Sequence, residues 1–301
     1  MLNFLPKPLV GVIAVSLLVL NILVWCLFLF AVALIKFLLP FKPVRRAVDP
    51  ILNAIATTWI SGNNGWMRLT QKTRWDIQGL EGLQYRGWYL VSSNHQSWVD
   101  IFVLQNMFNR RIPFLKFLIK QELLYVPIMG LAWWALDYPF MKRYSAEYLK
   151  KHPEMRGKDL ETTRKACKKF SLIPTSVMNF PEGTRFTPAK HDRQESPYRH
   201  LLKPKAGGVA LVLDAMGEKF QSLLNVTIVY PDGIPGFWEF LSGRVKRITV
   251  RVQNLPIPKH FIGGDYENDA QFRAAFQQWL HEVWLEKDAL IAQLRAETAP
   301  A

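Results

Sequence analysis

Residues 8 to 35 carry no charge, and from Leu9 to Ile35 the run is almost entirely Leu, Val, Ile, Ala and Phe. Wound as a helix at about 1.5 Å per residue, this stretch reaches about 42 Å, beyond the roughly 30 Å hydrocarbon core of a bilayer. It predicts one tilted membrane-spanning helix or, with a bend near Asn21, a membrane-dipping hairpin, although no Pro or Gly marks such a bend. Ala31 and Ala33 also form the A-x-A pattern of a signal-peptide cleavage site. The apolar stretch is well beyond the roughly 7–15 residues of a signal-peptide core, so its length favours an uncleaved anchor. Only Lys7 precedes the run, whereas Lys36, Lys42, Arg45 and Arg46 follow it, which places the remaining chain in the cytoplasm by the positive-inside rule.

The rest of the 301 residues is expected to divide into a connecting helical segment at 41–74 and one α/β domain at 75–301, behind the anchor at 1–40. Residues 47–75 read as helical with a break at Ser61-Gly62-Asn63-Asn64-Gly65. Strands are expected at 87–93, at 176–180, at 224–230 and at 245–253, and helices at about 98–108 and 206–220. The segment 268–296 reads as an amphipathic terminal helix with Phe272, Phe276, Trp279, Val283 and Leu290 largely on one face. Residues 123–141 are apolar and aromatic, but Pro127, Gly130, Asp137 and Pro139 interrupt them, which suits a buried or interfacial segment better than a second span.

Charge narrows the function. With 38 Lys and Arg against 24 Asp and Glu, the net charge is +14, which calls for an anionic partner. Residues 142–169 hold ten of those cations against four acids. They read either as a solvated helix face or as a docking surface for anionic phospholipid or an acidic acyl carrier. A nucleic-acid reader is disfavoured, because no reading module is present and an anchor is. Two cysteines exclude a disulfide framework and a Cys-rich zinc module, and no G-x-S-x-G elbow supports a serine hydrolase.

Two tracts carry chemistry. Asn94-His95-Gln96-Ser97-Trp98-Val99-Asp100 leaves a strand and opens a helix, where side chains project toward a crevice. Histidine is the side chain whose unperturbed pKa best suits general-base work near neutrality, and a carboxylate at Asp100 could orient His95. On a continuous helix, positions five apart diverge by about 140°, so the pair meets only if His95 sits on the turn before the helix. Ser97 with Asp100 also reads as a capping-box variant, and a cap there would put Asp100 where a dyad needs it. The second tract is Phe180-Pro181-Glu182-Gly183-Thr184-Arg185, turn chemistry that ends an apolar strand in a residue suited to bidentate phosphate recognition. A further basic pair, Lys142-Arg143, follows Tyr138-Pro139-Phe140-Met141.

In this order the tracts resemble the glycerolipid acyltransferase family, in particular its 1-acylglycerol-3-phosphate (lysophosphatidate) acyltransferases. Within it they are most similar to the membrane-bound bacterial acyltransferases of YihG type, which share the N-terminal anchor and tracts like YPFMKRYS and GKDLETTR. Asn94 to Asp100 matches the first family block and Phe180 to Arg185 the third, about 85 residues on. Phe140 to Arg143 looks like a divergent second block, with Lys142 where the family usually has Asp or Asn, and Val229-Tyr230-Pro231 resembles the fourth.

The resemblance implies a single acyltransferase domain with a mixed central sheet flanked by helices, behind an N-terminal membrane-anchoring helix in the bacterial inner membrane. It implies His95 and Asp100 as the catalytic pair. Arg185 and Arg143 would hold the acceptor phosphate, with Lys142, Glu182, Gly183 and Thr184 completing the substrate site. No metal or cofactor is implied; acyl-CoA or acyl carrier protein would be the donor substrate and a lysophospholipid the acceptor. Lysophosphatidylglycerol and other lysophospholipids stand as alternative acceptors, and a non-enzymatic basic membrane-surface protein as the alternative in another class.

Overall fold

The computed structural model of the chain describes residues 2, 4–138, 140–141, 151–152 and 173–298. The charge-free run folds as one helix, α1 (Lys7–Leu38), continuous through Asn21. It is the one helix among the described residues long and apolar enough to cross a membrane. A second helix, α2 (Lys42–Thr70), folds back along it, from a Lys36–Asp49 ion pair of 2.8 Å near one end to the Leu2 N–H donating to Leu69 O at the other.

The break expected at 61–65 is absent, and the seam between the two helices explains why. Asn21 Nδ2 donates to Trp59 O at 3.0 Å and to Asn63 Oδ1 at 2.9 Å. Trp66 Nε1 donates to the same Asn63 oxygen at 3.1 Å. Gly62 supplies the room, since a Cβ there would stand 2.2 Å from Asn21 Oδ1. Residues that read locally as a turn are polar contacts inside a helical hairpin, where tertiary packing overrides propensity.

Both ends of α1 are tied to the α/β domain. Lys7 Nζ donates to Gly243 O at 3.0 Å, and Gly11 lies against the Trp238 ring on helix Phe237–Leu241. At the other end Lys36 Nζ bonds Ala135 O at 3.3 Å and pairs with Asp137, which Arg45 also meets at 3.0 Å.

The domain's six-stranded sheet is mixed, as expected. Its strands are β1 (Arg74–Gln78), β2 (Tyr89–Ser93), β3 (Leu115–Phe117), β6 (Ser176–Asn179), β7 (Ser222–Val229) and β8 (Arg247–Leu255). Their order is β1-β8-β7-β2-β6-β3, parallel except for the β7–β8 pair. A two-stranded sheet pairs β4 (Ile119–Lys120) with β5 (Phe140–Met141). The central strands β2, β6 and β7 are buried along their whole length, because helices cover both faces. Val91, Met178, Val226 and Ile228 face α1, α2 and α3 (Val99–Phe108). Leu90, Val177, Leu223 and Val229 face Ala206–Met216 and the terminal helix Ala270–Thr298.

Three differences from the sequence reading have physical causes. Residues 74 and 75, read as the tail of the helical segment, instead open β1; α2 stops at Thr70, and Trp75 and Ile77 pair in register with Ile248 and Val250 of β8. β3 to β5 are too short for periodicity to register. The terminal helix buries a stripe rotated from the expected one, with Phe276, Leu280, Val283, Trp284, Lys287, Ile291 and Leu294 inward and Phe272, Trp279 and Leu290 at its edge.

Among the described residues of 123–141 there is no second helix long enough to span. The short helix α4 (Met129–Ala135) packs against α1, with Trp134 edge-on to Phe37 at 6.3 Å, and a 3-10 turn (Gln121–Tyr125) packs against α4. Tyr125, Ile128, Leu131 and Trp134 are exposed beside the exposed apolar face of α1. The basic tract 142–169, apart from residues 151–152, lies outside the described residues.

Two glycines one turn apart on α2 test the seam. Nothing lies within 4 Å of a Cβ built on Gly65, so Gly65→Ala should stabilise by about 0.5–1 kcal/mol through helix propensity. Gly62→Leu should cost about 1–3 kcal/mol by displacing Asn21 from its partners. Thermal unfolding in detergent reads both; equal effects of the two would contradict the seam.

Candidate active site

The site forms where β2 leaves the sheet. Asn94, just past the strand, continues the ladder with its side chain: Nδ2 donates to Ile228 O at 2.9 Å and Oδ1 accepts the Ile228 N–H at 2.8 Å. The chain can therefore turn away while still gripping β7, and His95 follows on the turn before α3.

His95 Nδ1 lies 2.8 Å from Asp100 Oδ2, so the pair meets as the five-residue spacing permits. Asp100 has no exposed surface. Its Oδ2 also accepts the Gln96 N–H at 2.6 Å and the Ser97 N–H at 2.9 Å, and its Oδ1 accepts the Tyr230 hydroxyl at 2.5 Å. The capping role and the dyad coexist, since one carboxylate closes the helix start and holds the imidazole. A carboxylate facing so many donors acts as an acceptor, which assigns the proton to Nδ1 and leaves the Nε2 lone pair for another group. Burial and the neighbouring Asp100 charge push the Tyr230 hydroxyl well above its ordinary pKa, so it stays a donor. Ser97 Oγ donates to Pro235 O at 2.7 Å and accepts the Val99 N–H at 3.2 Å, fixing the first turn. Phe180 stacks on the imidazole with ring centroids 4.0 Å apart, covering one of its faces.

Glu182 enters from the turn after β6. Gly183, at φ 69°, closes that turn by donating to Phe180 O at 2.9 Å. The Glu182 side chain has no exposed surface, and both oxygens take backbone N–H groups, Oε1 from His95 at 2.8 Å and Oε2 from Leu202 at 2.9 Å. Its carboxylate holds the peptide of His95. Burial pushes its pKa up, the two amides oppose that, Asp100 adds to it and the Lys287 ammonium opposes it.

Thr184 and Arg185 continue outward. Lys190 Nζ donates to Thr184 Oγ1 at 2.8 Å and to Arg185 O at 3.0 Å, locking the backbone that presents Arg185. The Arg185 guanidinium lies 4.6 Å from the centroid of Trp98, and no carboxylate pairs with it among the described residues. The structure thus brings His95, Asp100, Glu182, Gly183, Thr184 and Arg185 together at one end of the sheet, just past β2 and β6. Lys142 and Arg143 lie outside the described residues.

Sequence reasoning did not single out Tyr230, Lys190 or Trp98 for the site. Tyr230 lies within the Val-Tyr-Pro tract, yet nothing in a lone buried-strand tyrosine signals a hydroxyl aimed at a carboxylate 130 residues away.

With this geometry in hand, the family model for Acyltransferase matches residues 74–231, 158 of the 301 residues. The chain belongs to the acyltransferase family. The matched span contains the site residues from Asn94 to Tyr230 and leaves α1, α2 and the terminal helix wholly outside it. The 1-acyl-sn-glycerol-3-phosphate acyltransferase gamma of Mus musculus is 26% identical over 186 residues, 58% of this chain and 44% of that protein. The 1-acyl-sn-glycerol-3-phosphate acyltransferase 3 of Arabidopsis thaliana is 26% identical over 216 residues, 66% of this chain and 52% of that protein. This acyltransferase chain therefore spans about half the length of the curated relatives it matches. Its fold is similar to the crystal structure of the 1-acyl-sn-glycerophosphate acyltransferase PlsC from Thermotoga maritima, with a TM-score of 0.51 at 16% identity, covering 92% of this chain and 98% of that one.

Proposed function

We propose that the chain transfers an acyl group from an acyl thioester to the free hydroxyl of 1-acyl-sn-glycerol 3-phosphate, giving phosphatidic acid. The observation that carries the reading is an imidazole whose Nδ1 is committed to buried Asp100 while Nε2 has no partner among the described residues, beside Arg185, which meets no carboxylate among the described residues. The names of the relatives point to the same acceptor. His95 Nε2 takes the hydroxyl proton as the oxygen attacks the thioester carbonyl. The C–S bond then breaks, and the thiolate leaves and is protonated by the imidazolium. Asp100 holds the tautomer and stabilises the imidazolium charge. A thioester is already activated, so the reaction needs no acyl-enzyme. Arg185 takes the acceptor phosphate, and Arg143 and Lys142 are proposed to share that task. General-base catalysis contributes on the order of 10²–10⁴-fold, and holding the two substrates together contributes further.

We also propose that the chain sits on the bacterial inner membrane with its α/β domain in the cytoplasm. The bonds from Lys7 to Gly243 and from Lys36 to Ala135 tie both ends of α1 to the same domain. That favours a helix lying along one leaflet with its apolar face and the exposed aromatics of α4 in the lipid, rather than one that crosses.

Purified full-length protein, offered labelled acyl-CoA and a panel of lysophospholipids with products identified by mass, tests the reaction. Phosphatidic acid should form fastest; preference for lysophosphatidylglycerol would move the acceptor assignment. His95→Ala should abolish transfer in a folded protein and Asp100→Asn should remove most of it. Arg185→Ala should weaken use of the phosphate-bearing acceptor by about 1.5–3 kcal/mol, leaving donor binding intact. Near-normal turnover in folded His95→Ala would sink the mechanism.

Membrane placement has its own readout. In a chain with its native cysteines replaced by serine, single cysteines at Phe4 and at Leu39, exposed by 80% and 46%, should both react with an impermeant maleimide from the cytoplasmic side. Labelling of position 4 from the periplasm would restore the spanning reading.

A further inference from the structure

Three ties join the start of α3 to the chain that leaves β7. Asn94 exchanges two hydrogen bonds with Ile228, Ser97 Oγ donates to Pro235 O at 2.7 Å, and the Tyr230 hydroxyl donates to Asp100 Oδ1 at 2.5 Å. The first two hold backbone. The third ends on the carboxylate that holds His95, which has no exposed surface, and it comes from a tyrosine that is itself buried.

The donors around Asp100 are divided unevenly. Oδ2 faces His95 Nδ1 at 2.8 Å, the Gln96 N–H at 2.6 Å and the Ser97 N–H at 2.9 Å. Oδ1 faces the Tyr230 hydroxyl alone among the described residues. A carboxylate does not keep such an arrangement by itself, because the last torsion of an aspartate is broad and its two oxygens are equivalent. A buried acceptor without a donor is costly, so with the hydroxyl gone the group would twist to share its remaining donors between both oxygens. That twist takes Oδ2 out of line with His95 Nδ1 and removes the reason for the imidazole to hold one tautomer.

We propose that Tyr230 is a positioning residue, whose hydroxyl anchors Asp100 Oδ1 and thereby keeps Oδ2 in line with His95 Nδ1, so that Nε2 stays free of a proton. On this assignment Tyr230 acts through Asp100 and touches neither substrate.

The kinetic arm of the test rests on the acyl-transfer reading; the spectroscopic and stability arms do not. Full-length protein carrying isotope-labelled histidine is compared as wild type and Tyr230→Phe by nitrogen NMR, in mildly alkaline buffer where an ordinary imidazole is neutral. The His95 signals are those missing from His95→Ala. The wild type should show one tautomer with the proton on Nδ1, and Tyr230→Phe a mixture of two. With lysophosphatidate and acyl-CoA as substrates, Tyr230→Phe should lose at least about tenfold in kcat, a part of the 10²–10⁴-fold that a well-placed general base supplies, with both KM values little changed. Thermal unfolding supplies the third readout. Tyr230→Phe should lower the midpoint of the wild type but not that of Asp100→Ala, where the hydroxyl has already lost its acceptor.

A residue that only pinned β7 to α3 would lower the midpoint and leave the His95 tautomer, and kcat per folded molecule, as in the wild type. Either of those unchanged, a loss confined to KM, or an equal drop in midpoint in both backgrounds overturns the proposal. Phe keeps the ring and its packing. Should Tyr230→Phe nonetheless fail to fold, the wild-type spectra decide. His95 must then show the single Nδ1–H tautomer, and one tyrosine hydroxyl proton must resist exchange and lie far downfield, as befits a short bond to a buried carboxylate; lack of either overturns the proposal. Absence of transfer by the wild type would count against the proposed function alone, and the spectra and midpoints would still decide.

Discussion

Glu182 has no exposed surface, and a carboxylate so placed must find its hydrogen bonds inside the protein. It finds them on two backbone amides from separate stretches of chain, His95 after β2 and Leu202 before the helix Ala206–Met216. That requirement joins the two loops at the end of the sheet into one unit. Phe180, one residue before the turn that carries Glu182, stacks on the imidazole, so the same turn sets the height of the peptide and the tilt of the ring. Asp100 repeats the logic from below, where one buried carboxylate closes the start of α3, fixes the His95 tautomer and takes the Tyr230 hydroxyl. The site is rigid because its charges are buried and therefore obliged to be bonded.

Much of this was legible in the sequence, and several of the exceptions share a cause. The spacing permitted His95 and Asp100 to meet on a strand-to-helix turn and the family resemblance implied that they do, while the apolar strands β2 and β7 announced themselves by composition. The gathering of Glu182 and Arg185 beside His95 followed from the family resemblance rather than from spacing. Several of the missed features depend on partners far away in the chain. Ser61 to Gly65 looks like a turn until Asn21 is placed against it, 38 residues from Trp59. Tyr230 and Lys287 look like unremarkable members of an apolar strand and an amphipathic helix. Only the fold reveals that one points at a carboxylate 130 residues away and the other bonds a strand 61 residues away. Local pattern reports which face is buried; it cannot report which polar atom that burial forces into contact.

The helical hairpin extends the same electrostatic economy to the lipid side. Lys36, Asp49, Arg45 and Asp137 form a cluster of opposite charges where α1 ends, α2 begins and α4 turns back. The apolar face of α1 and the aromatics of α4 then lie side by side on the outside. The proposed reaction brings two amphipathic substrates together at a bilayer surface, and this arrangement puts the most apolar exposed surface on the body that carries His95. The family match excludes the hairpin and the terminal helix, yet both are fastened to the matched span by charged groups.

The central claim is that His95 activates the acceptor hydroxyl directly, within a complex holding both substrates, and that no acyl group is ever carried by the protein. Initial velocities of the full-length protein in mixed micelles, taken over a matrix of lysophosphatidate and acyl-CoA concentrations, address it most directly. Direct transfer predicts double-reciprocal lines that intersect. Parallel lines, the mark of a covalent acyl-enzyme released from donor before acceptor binds, would contradict it.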